Sequence, residues 1–512
     1  MHQVFHRSLN IIMANNTDSA IATFSRGAGS LVVDLSMHLD NRIAFVNRCV
    51  KAEIPADAFV VAGGGEQAVY DSDTVWDFRQ ESNFQYLFGV KEPGCFGVIN
   101  FASGKSILFV PRLPAEYAQW FGPIKPLDWF KNTYLVDSVY YVDEMDIELS
   151  NSPRLCYYDF VNLDSGLSVP VPTNRSYVRD SRAAYILNEM RSIKTLAEIE
   201  ILQYTNDVSC LAHIDTMKEI FSSTRGPVTS MEHFAETNFR FQSGLGGCAR
   251  VGYHCIACSG LSNAVLHYGH SAEPNNNQVE PSSMRLLDMG AEYHCYTADV
   301  TCSFPTSGTF LPEQAAVYES VWAAVLAVES KLKSGVDYRD MQRLAHRTML
   351  KELKERTEMF PGELDELMRH NVCARFFMPH GLGHQLGLAV HDVGGYVPGE
   401  SKNTVDIGLK GLRLGRVLAE HMVLTVEPGI YFIEYLLSDL ELQEDMRSLV
   451  NMEAVRKYQQ LVGGIRIEDN VVIKDIGCIV LTDVPRTVSD IEKVMQGKMD
   501  WVVGRNYRQY IH

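Results

Sequence analysis

Four carboxylates occur where a charged side chain is unexpected, inside or at the end of apolar, strand-like runs. Asp288 ends the run 284–287, and Asp299 follows Tyr-Thr-Ala. Glu427 ends a second apolar run and precedes Pro-Gly, while Glu468 follows Gly-Ile-Arg-Ile. Burying one unpaired carboxylate costs several kcal/mol, and four placed together repel one another unless cations neutralise them. The pattern therefore predicts a metal site.

A histidine adds a fifth candidate ligand. His384 ends the sequence His-Gly-Leu-Gly-His, in which the glycines let the backbone pass close to another group and leave the imidazole free to reach inward. One imidazole and four carboxylates form a hard ligand set that favours Mn²⁺, although Zn²⁺, Co²⁺ or Fe²⁺ also bind such ligands. Paired ions lie ~3.5–4 Å apart in two-metal sites, so bridging carboxylates can complete both coordination shells. We expect two divalent ions.

Each candidate also has an ordinary structural interpretation. An aspartate at a strand end is commonly a turn former, a Glu-Pro-Gly sequence is commonly a loop, and a lone histidine is commonly a core residue with its hydrogen bonds satisfied. Cys255 and Cys258 form a single Cys-x-x-Cys in an apolar segment. Without a second pair or a His-x3-His sequence they lack the ligands of a structural zinc site, and we interpret them as two packed thiols.

A sheet flanked by helices must position the candidate ligands. Helical stretches are predicted at 313–333 and 338–357, and a turn at 290–292 would form a hairpin that brings Asp288 and Asp299 together. Strand-like segments recur at 253–257, 284–288, 296–300, 422–426 and 464–472. The pattern predicts an α+β fold with a curved antiparallel sheet, helices on one side and a site in its concavity.

Length and composition indicate two domains. The 512 residues exceed what one hydrophobic core usually holds. Residues 31–186 mix strand-like runs with helical stretches and hold no cluster of potential ligands, which indicates a smaller, non-catalytic α/β domain. Residues 187–500 form the predicted catalytic domain. An N-terminal extension, 1–30, and a C-terminal tail, 501–512, complete the division.

A helix start lies just inside the predicted catalytic domain. The hydroxyl of Thr195 can accept a hydrogen bond from the amide of Glu198, and the glutamate side chain can reach back, which is a capping box. Leu196, Ile199 and Leu202 follow at helical spacing and predict the buried face of this helix.

Charge and cysteine usage exclude several classes of protein. A formal charge of -17 repels phosphate backbones and anionic lipid, so we expect no nucleic-acid or membrane partner. The odd number of cysteines, 11, indicates reduced thiols and a cytoplasmic location. The first seventeen residues contain Arg7 and no acid before Asp18, which fits either a disordered tail or an organelle transit peptide.

An ordered set of sequence blocks resembles a known family. The order Asp288, Asp299, His384, Glu427 and Glu468 resembles the ligand order of the pita-bread metallopeptidases, which include methionine aminopeptidase, aminopeptidase P and prolidase. The resemblance is closer to the eukaryotic prolidase (Xaa-Pro dipeptidase) branch. It is carried by DFRQES, FVPRLPAEYA, HYGH, LLDMG, DVTCSFP, PHGLGH, VHDVGGY, LTVEPGIYF and GGIRIED. It implies a pita-bread catalytic domain preceded by an α/β domain.

The resemblance implies a role for each of the five candidate ligands. Asp288 would chelate one ion, His384 and Glu427 the other, and Asp299 and Glu468 would bridge them. In this family a water that bridges the ions attacks the peptide bond, which in prolidases is the bond before a C-terminal proline, and free proline is released. Glu427 would shuttle the proton.

The resemblance also implies substrate-binding residues. His391 would polarise the scissile carbonyl or steady the intermediate, and His267 would be a second active-site histidine. Arg413 would pair with the free carboxylate of the dipeptide through two hydrogen bonds. Prolidases are homodimers in which a loop of one N-terminal domain approaches the partner's active site. Trp120 matches an aromatic residue of that loop and Tyr253 a site-lining tyrosine, although both also fit ordinary packing roles.

Two alternatives remain open at this point. An aminopeptidase P uses the same ligands but removes one residue from longer Xaa-Pro peptides. A catalytically silent binding protein on the same fold is a second alternative, and such proteins tend to lose ligands, whereas all five are present here.

Overall fold

The chain divides into two compact units, Met1–Arg191 and Ser192–His512. The computed structural model describes residues 22–169, 176–222, 230–397, 399–400, 402, 405–505 and 508–511. The question of a tail or a transit peptide falls on the first twenty-one residues, which lie outside the described residues.

The first unit is built around a mixed five-stranded sheet. Its strands and helices are β1 (Thr23–Phe24), β2 (Val33–Asp34), α1 (Ser36–Lys51), β3 (Ala58–Ala62), α2 (Ser82–Phe88), β4 (Phe96–Asn100), β5 (Ser106–Val110), α3 (Tyr117–Phe121), α4 (Leu127–Tyr134), β6 (Ser138–Tyr141), α5 (Met145–Glu148), β7 (Leu155–Tyr157) and α6 (Ser181–Ser192). The order β6-β5-β4-β3-β7 contains two parallel pairs, β3–β7 and β5–β6. Val60, Val98 and Phe109 pack with Met145 and Leu149 in an apolar cluster. The predicted α/β class of this region is confirmed.

The second unit pairs long helices with antiparallel strands. Its elements are α7 (Leu196–Ser222), α8 (Glu232–Leu245), β8 (Arg250–Val251), β9 (Ile256–Ser259), β10 (Met284–Asp288), β11 (Ala291–Tyr293), β12 (Tyr296–Thr297), β13 (Thr301–Pro305), α9 (Pro312–Glu329), α10 (Tyr338–Arg356), α11 (Leu364–Arg369), β14 (Val423–Val426), β15 (Gly429–Tyr431), α12 (Glu434–Leu442), α13 (Met452–Val462), β16 (Gly464–Arg466), β17 (Asp469–Lys474), β18 (Gly477–Val480), α14 (Val488–Met495) and β19 (Gln509–Ile511). The sheets have the orders β13-β10-β9, β12-β11-β8, β14-β17-β18-β19 and β15-β16. One large apolar cluster joins these helices and strands, with Val317, Val321 and Leu424 fully buried. The α+β class is confirmed.

Helix α7 begins with the predicted capping box. The amide of Thr195 donates to Glu198 Oε2 at 2.8 Å, and the amide of Glu198 donates to Thr195 Oγ1 at 3.3 Å. The predicted buried face is wrong at its first position, because Leu196 is 72% exposed. Glu198 is buried instead, since Tyr296 OH also donates to its Oε1 at 3.0 Å and satisfies the carboxylate. The first turn of the helix therefore buries Glu198, whose hydrogen bonds are satisfied, and exposes Leu196.

Replacing the capping threonine is expected to lower the stability of the second unit. Thr195→Ala removes the acceptor of the Glu198 amide and should reduce the free energy of unfolding by about 1 kcal/mol. Thr195→Ser keeps a hydroxyl and serves as the control. Urea titration followed by circular dichroism measures the change, and equal midpoints for the alanine and serine variants would contradict the capping role.

The connection between Asp288 and Asp299 differs from the predicted hairpin. Residues 291–293 form β11 rather than a turn, and the turn lies at His294 and Cys295, between the paired residues Tyr293 and Tyr296. Both turn residues have positive φ, 49° and 66°. Two-residue turns of this kind usually carry Asn-Gly, so His-Cys gave no recognisable turn signal.

Several other predicted elements are present with changed limits. The strand 284–288 and both helical stretches agree with β10, α9 and α10. Tyr253 lies in a bend between β8 and β9 rather than in a strand, and the segment 464–472 is divided into β16 and β17 with Glu468 between them. Residues 509–511 of the segment predicted as a tail form β19, which pairs with β18.

The cysteines agree with the prediction of reduced, packed thiols. All eleven cysteines are buried, and none of them forms a disulfide. Burial raises the pKa of both Cys255 and Cys258 to about 12, which keeps them as neutral packed thiols. Among the described residues, no helix combines the length and apolar character needed to cross a bilayer.

Candidate metal centre

Three of the predicted ligands lie in one buried cluster. One ligand atom from each of Asp299, His384 and Glu468 lies within 4.8 Å of the other two. His384 Nε2 is 3.3 Å from Asp299 Oδ2 and 3.5 Å from Glu427 Oε1, which adds the fourth residue. Burial, followed by the charge of Asp288, raises the pKa of Asp299, and the charge of Asp288 also contributes to the raised pKa of Glu468 after burial and the charges of Asp299 and Glu427. The fifth residue therefore lies near this cluster.

Strand ends bring three of the four acids together. Asp288 is the last residue of β10, directly opposite Thr301 of β13. Thr301 also forms an isolated bridge with Glu468, which precedes β17. Glu427 follows β14, and β14 pairs with β17 in antiparallel register. These three acids therefore lie next to one another, at or beside the ends of paired strands.

The environment of His384 suits a metal ligand. Its Nδ1 lies 3.0 Å from the carbonyl oxygen of Gln385, so a proton on Nδ1 donates there and the Nε2 lone pair points towards the carboxylates. The His384 amide donates to Thr425 Oγ1 at 3.1 Å. A Cβ on Gly383 would lie 2.1 Å from the Thr425 carbonyl oxygen, so glycine is required for this close approach.

The electrostatics of the cluster call for a cation. Burial, followed by the charges of Asp299 and Glu427, raises the pKa of Glu468 well above its usual value. Burial is also the main cause that raises the pKa of Glu427 to about 7. Carboxylates whose ionised forms are this disfavoured are stabilised by a positive charge placed among them. The oxygen-rich donor set with one imidazole fits divalent cations.

Asp288 is oriented by two side chains. Tyr253 OH donates to Asp288 Oδ1 at 2.6 Å, and Arg466 Nη2 donates to Oδ2 at 2.6 Å. Arg466 also donates to Tyr431 OH at 2.9 Å. Sequence reasoning missed Arg466, although it lies two residues before Glu468 in a strand-like run. Alternation along such a run places the two side chains on the same face.

Asp299 and Glu468 are held by neighbouring polar residues that sequence reasoning also missed. Asn470 accepts from the Asp299 amide at 3.0 Å and donates to the Asp299 carbonyl oxygen at 2.5 Å. Thr301 Oγ1 donates to Glu468 Oε2 at 2.7 Å. Asn470 therefore holds the backbone of Asp299, and Thr301 holds the carboxylate of Glu468.

Removing the tyrosine hydroxyl from this arrangement is expected to weaken metal binding. Tyr253→Phe leaves Asp288 with one of its two donors, and loss of such an outer contact should raise the dissociation constant for Mn²⁺ about 10-fold. Calorimetric titration of the metal-stripped protein measures the change, with the exposed Tyr435→Phe as control. Equal affinity in Tyr253→Phe and the control would show that the hydroxyl does not support the centre.

Three further predicted residues lie around the cluster. The rings of His384 and His391 meet edge to face, with centroids 4.5 Å apart. Desolvation and the charges of His384 and Arg413 lower the pKa of His391 far below its usual value. Desolvation and the charges of Arg466 and Arg413 also lower the pKa of His267. The two histidines are therefore neutral and share a positively charged neighbour.

Trp120 lies in the first unit, in helix α3, and its side chain is 76% exposed. Its approach to the active site of a second subunit stays a prediction. Tyr253, by contrast, lies at the cluster itself through its contact with Asp288.

The whole chain is similar to curated proline-specific peptidases. The Xaa-Pro dipeptidase of Mus musculus is 42% identical over 484 residues, which cover 93% of this chain and 96% of the relative. The Xaa-Pro dipeptidase of Homo sapiens is 42% identical over 489 residues, with the same two coverages. The solved aminopeptidase PepP of Pseudomonas aeruginosa is 27% identical with a TM-score of 0.72, covering 91% of this chain and 98% of that one.

Family models match both units. Residues 38–154 match the N-terminal domain of aminopeptidase P. Residues 201–475, which contain all five candidate ligands, match metallopeptidase family M24. The predicted pita-bread fold with a preceding N-terminal domain is confirmed, and a divalent metal requirement follows from the family. The chain belongs to metallopeptidase family M24.

Proposed function

We propose that this protein is an Xaa-Pro dipeptidase that uses two divalent ions to hydrolyse the bond before a C-terminal proline. The observation that carries the proposal is the buried cluster of Asp299, His384 and Glu468. The similarity to mammalian Xaa-Pro dipeptidases along 93% of the chain supports the choice of substrate.

Five side chains are proposed to hold the two ions. Asp288 would hold one ion, His384 and Glu427 would hold the other, and Asp299 and Glu468 would be shared between them. When bound, such ions polarise the scissile carbonyl and make a water acidic enough to serve as the nucleophile near neutral pH.

Glu427 is proposed to move the proton in the reaction. It is the most exposed of the four acids, since its side chain is 17% exposed, and burial raises its pKa to about 7. A carboxylate that faces the water of the site can accept a proton from the attacking water and pass it to the leaving nitrogen. The nitrogen of the leaving proline must be protonated, because it departs as an amine.

Two histidines and one arginine are proposed to position the dipeptide. His391 and His267 have lowered pKa values, so each is neutral and can donate a hydrogen bond from one ring nitrogen to a substrate oxygen. Arg413 pairs with the free carboxylate through its two-pronged guanidinium. This pairing would restrict cleavage to substrates that end at proline.

Other properties are proposed from the ligand chemistry and the family resemblance. Mn²⁺ is the proposed ion because the donor set is rich in oxygen. A homodimer, a cytoplasmic location and the division 1–30, 31–186, 187–500 and 501–512 are proposed on the same basis. Trp120 is proposed to reach the substrate of the other subunit.

An aminopeptidase P activity is the second candidate. The solved structures that resemble this chain include aminopeptidase PepP from Pseudomonas aeruginosa, at a TM-score of 0.72. The identity to that protein is 27%, compared with 42% to the Mus musculus dipeptidase, which favours the dipeptidase.

Proline release from Gly-Pro and cleavage of Gly-Pro-Gly distinguish the candidates. The metal-stripped protein is assayed on each peptide with and without Mn²⁺. Cleavage of the dipeptide alone, only with metal, is the expected result. Faster cleavage of the tripeptide would indicate an aminopeptidase P, and no cleavage together with no bound metal would indicate a binding protein.

A further inference from the structure

Two arginines and two acids form a buried ion-pair network beside the metal centre. Asp469 Oδ1 accepts from Arg486 Nη2 at 2.6 Å, and Asp469 Oδ2 accepts from Arg508 Nη2 at 2.5 Å. Arg508 also donates to both oxygens of Glu329, at 2.9 and 3.2 Å. The two acids are fully buried, the Arg486 side chain is 3% exposed and the Arg508 side chain is 22% exposed. Each buried charge therefore has a partner of opposite sign.

Arg486 connects this network to the backbone of the candidate ligands. Its Nη2 donates to the carbonyl oxygen of Glu468 at 2.5 Å, and its Nη1 donates to the carbonyl oxygen of Thr301 at 2.7 Å. Thr301 lies opposite Asp288 in the sheet, and its hydroxyl donates to the Glu468 carboxylate. One guanidinium thus ties the backbone at Glu468 to β13, the strand that pairs with β10 at Asp288.

Arg508 joins the two acids of the network, Asp469 and Glu329. It immediately precedes β19, whose pairing with β18 fixes the local backbone. Arg508 holds the second oxygen of Asp469, and the first oxygen is the acceptor that orients Arg486. Without Arg508, the Oδ2 atom of the fully buried Asp469 would lose its cationic partner. The Asp469 side chain could then rotate away from the guanidinium of Arg486.

We propose that Arg508 is a positioning residue for the metal centre, which acts through Asp469 and Arg486 on the backbone at Glu468 and Thr301. The proposal rests on the proposed metal centre and extends it to the C-terminal strand. Residues that orient a ligand affect metal affinity because the carboxylate must be held where the ion binds.

Mn²⁺ binding to the metal-stripped protein is the first test of this proposal. Arg508→Gln is expected to raise the dissociation constant for Mn²⁺ about 10-fold, the lower end of what outer-contact substitutions cause. At saturating Mn²⁺ the KM for Gly-Pro should stay unchanged. Arg508→Lys should recover part of the affinity, because its ammonium supplies the charge but not the planar fork.

Arg456→Gln is the matched control. Arg456 also pairs with two glutamates, Glu434 at 2.6 Å and Glu441 at 2.9 Å, and its side chain is 29% exposed. A purely structural role for Arg508 predicts that both variants lower the melting temperature of the metal-free protein and leave the Mn²⁺ affinity unchanged. Weaker binding in Arg508→Gln alone supports a positioning role.

A second variant keeps the test valid if Arg508→Gln does not fold. Glu329→Gln loosens Arg508 from its other side without touching Asp469, and it should weaken Mn²⁺ binding in the same direction. Unchanged affinity in the folded variants, with tight binding by the wild type, would overturn the positioning role alone. No Mn²⁺ binding by the wild type would instead overturn the proposed metal centre.

Discussion

Glu468→Gln is expected to reduce the hydrolysis of Gly-Pro by about 10³-fold or more, because a bound ion supplies several kcal/mol of transition-state stabilisation. The substitution keeps the shape of the side chain and its ability to accept from Thr301 Oγ1. It removes one negative charge that the proposed bridging role requires. Asp299→Asn should have a similar effect.

The same substitution is expected to stabilise the metal-free protein. Burial and the charges of Asp299 and Glu427 raise the pKa of Glu468, so folding near neutral pH must protonate this carboxyl at a cost in free energy. A neutral amide avoids that cost without creating a cavity. The melting temperature of metal-stripped Glu468→Gln should therefore equal or exceed that of the wild type, while the stabilisation by added Mn²⁺ should be smaller. Differential scanning calorimetry with and without Mn²⁺ measures both quantities.

A control variant separates the loss of a ligand from the loss of any glutamate. Glu434 is an exposed residue of helix α12 that pairs with Arg456. Glu434→Gln should keep full hydrolysis and the full stabilisation by Mn²⁺. Turnover of Gly-Pro by Glu468→Gln at the wild-type rate would remove this residue from the centre.

The candidate ligands could be found in the sequence because their positions contradict their surroundings. Asp288 and Glu427 each end an apolar run, where a lone charge is unfavourable unless it has a partner. The structure places both at the cluster formed by Asp299, His384 and Glu468. Periodicity also located β10, α9 and α10, since their apolar patterns are local properties of the chain.

The contacts that support the cluster could not be found in the same way. Asn470 holds Asp299 across 171 positions of the sequence, and Arg486 holds Thr301 across 185. Each is an ordinary polar residue in its own segment, and only the folded chain shows its partner. Arg508 falls in the predicted C-terminal tail, and its acidic partners, Asp469 and Glu329, lie 39 and 179 positions away in the sequence.

Arg413→Ala is expected to reduce kcat/KM for Gly-Pro about 100-fold. Charge-assisted hydrogen bonds to a carboxylate contribute about 1.5–3 kcal/mol, which corresponds to about 10- to 150-fold. Gly-Pro amide lacks the negative charge that Arg413 is proposed to bind. The substitution should therefore change kcat/KM for the amide far less than for the acid.

The kcat/KM values for Gly-Pro and Gly-Pro amide, each measured in the wild type and in Arg413→Ala, form a double-mutant cycle. The cycle isolates the coupling between the guanidinium and the substrate carboxylate from any general effect on the site. Arg413→Lys should lie between the wild type and the alanine variant, because the ammonium keeps the charge but cannot form the paired hydrogen bonds. The exposed Arg343→Ala, in helix α10, serves as the control and should leave both substrates unaffected.

An equal loss on both substrates in Arg413→Ala would contradict carboxylate recognition. Burial is the main cause that lowers the pKa values of His267 and His391, and the charge of Arg413 adds to it, so loss of Arg413 also makes these histidines easier to protonate. That effect acts on the acid and the amide alike, so it cancels in the ratio. If Arg413→Ala lowers kcat/KM for the acid more than for the amide, the difference therefore identifies Arg413 as the residue that recognises the carboxylate of the substrate.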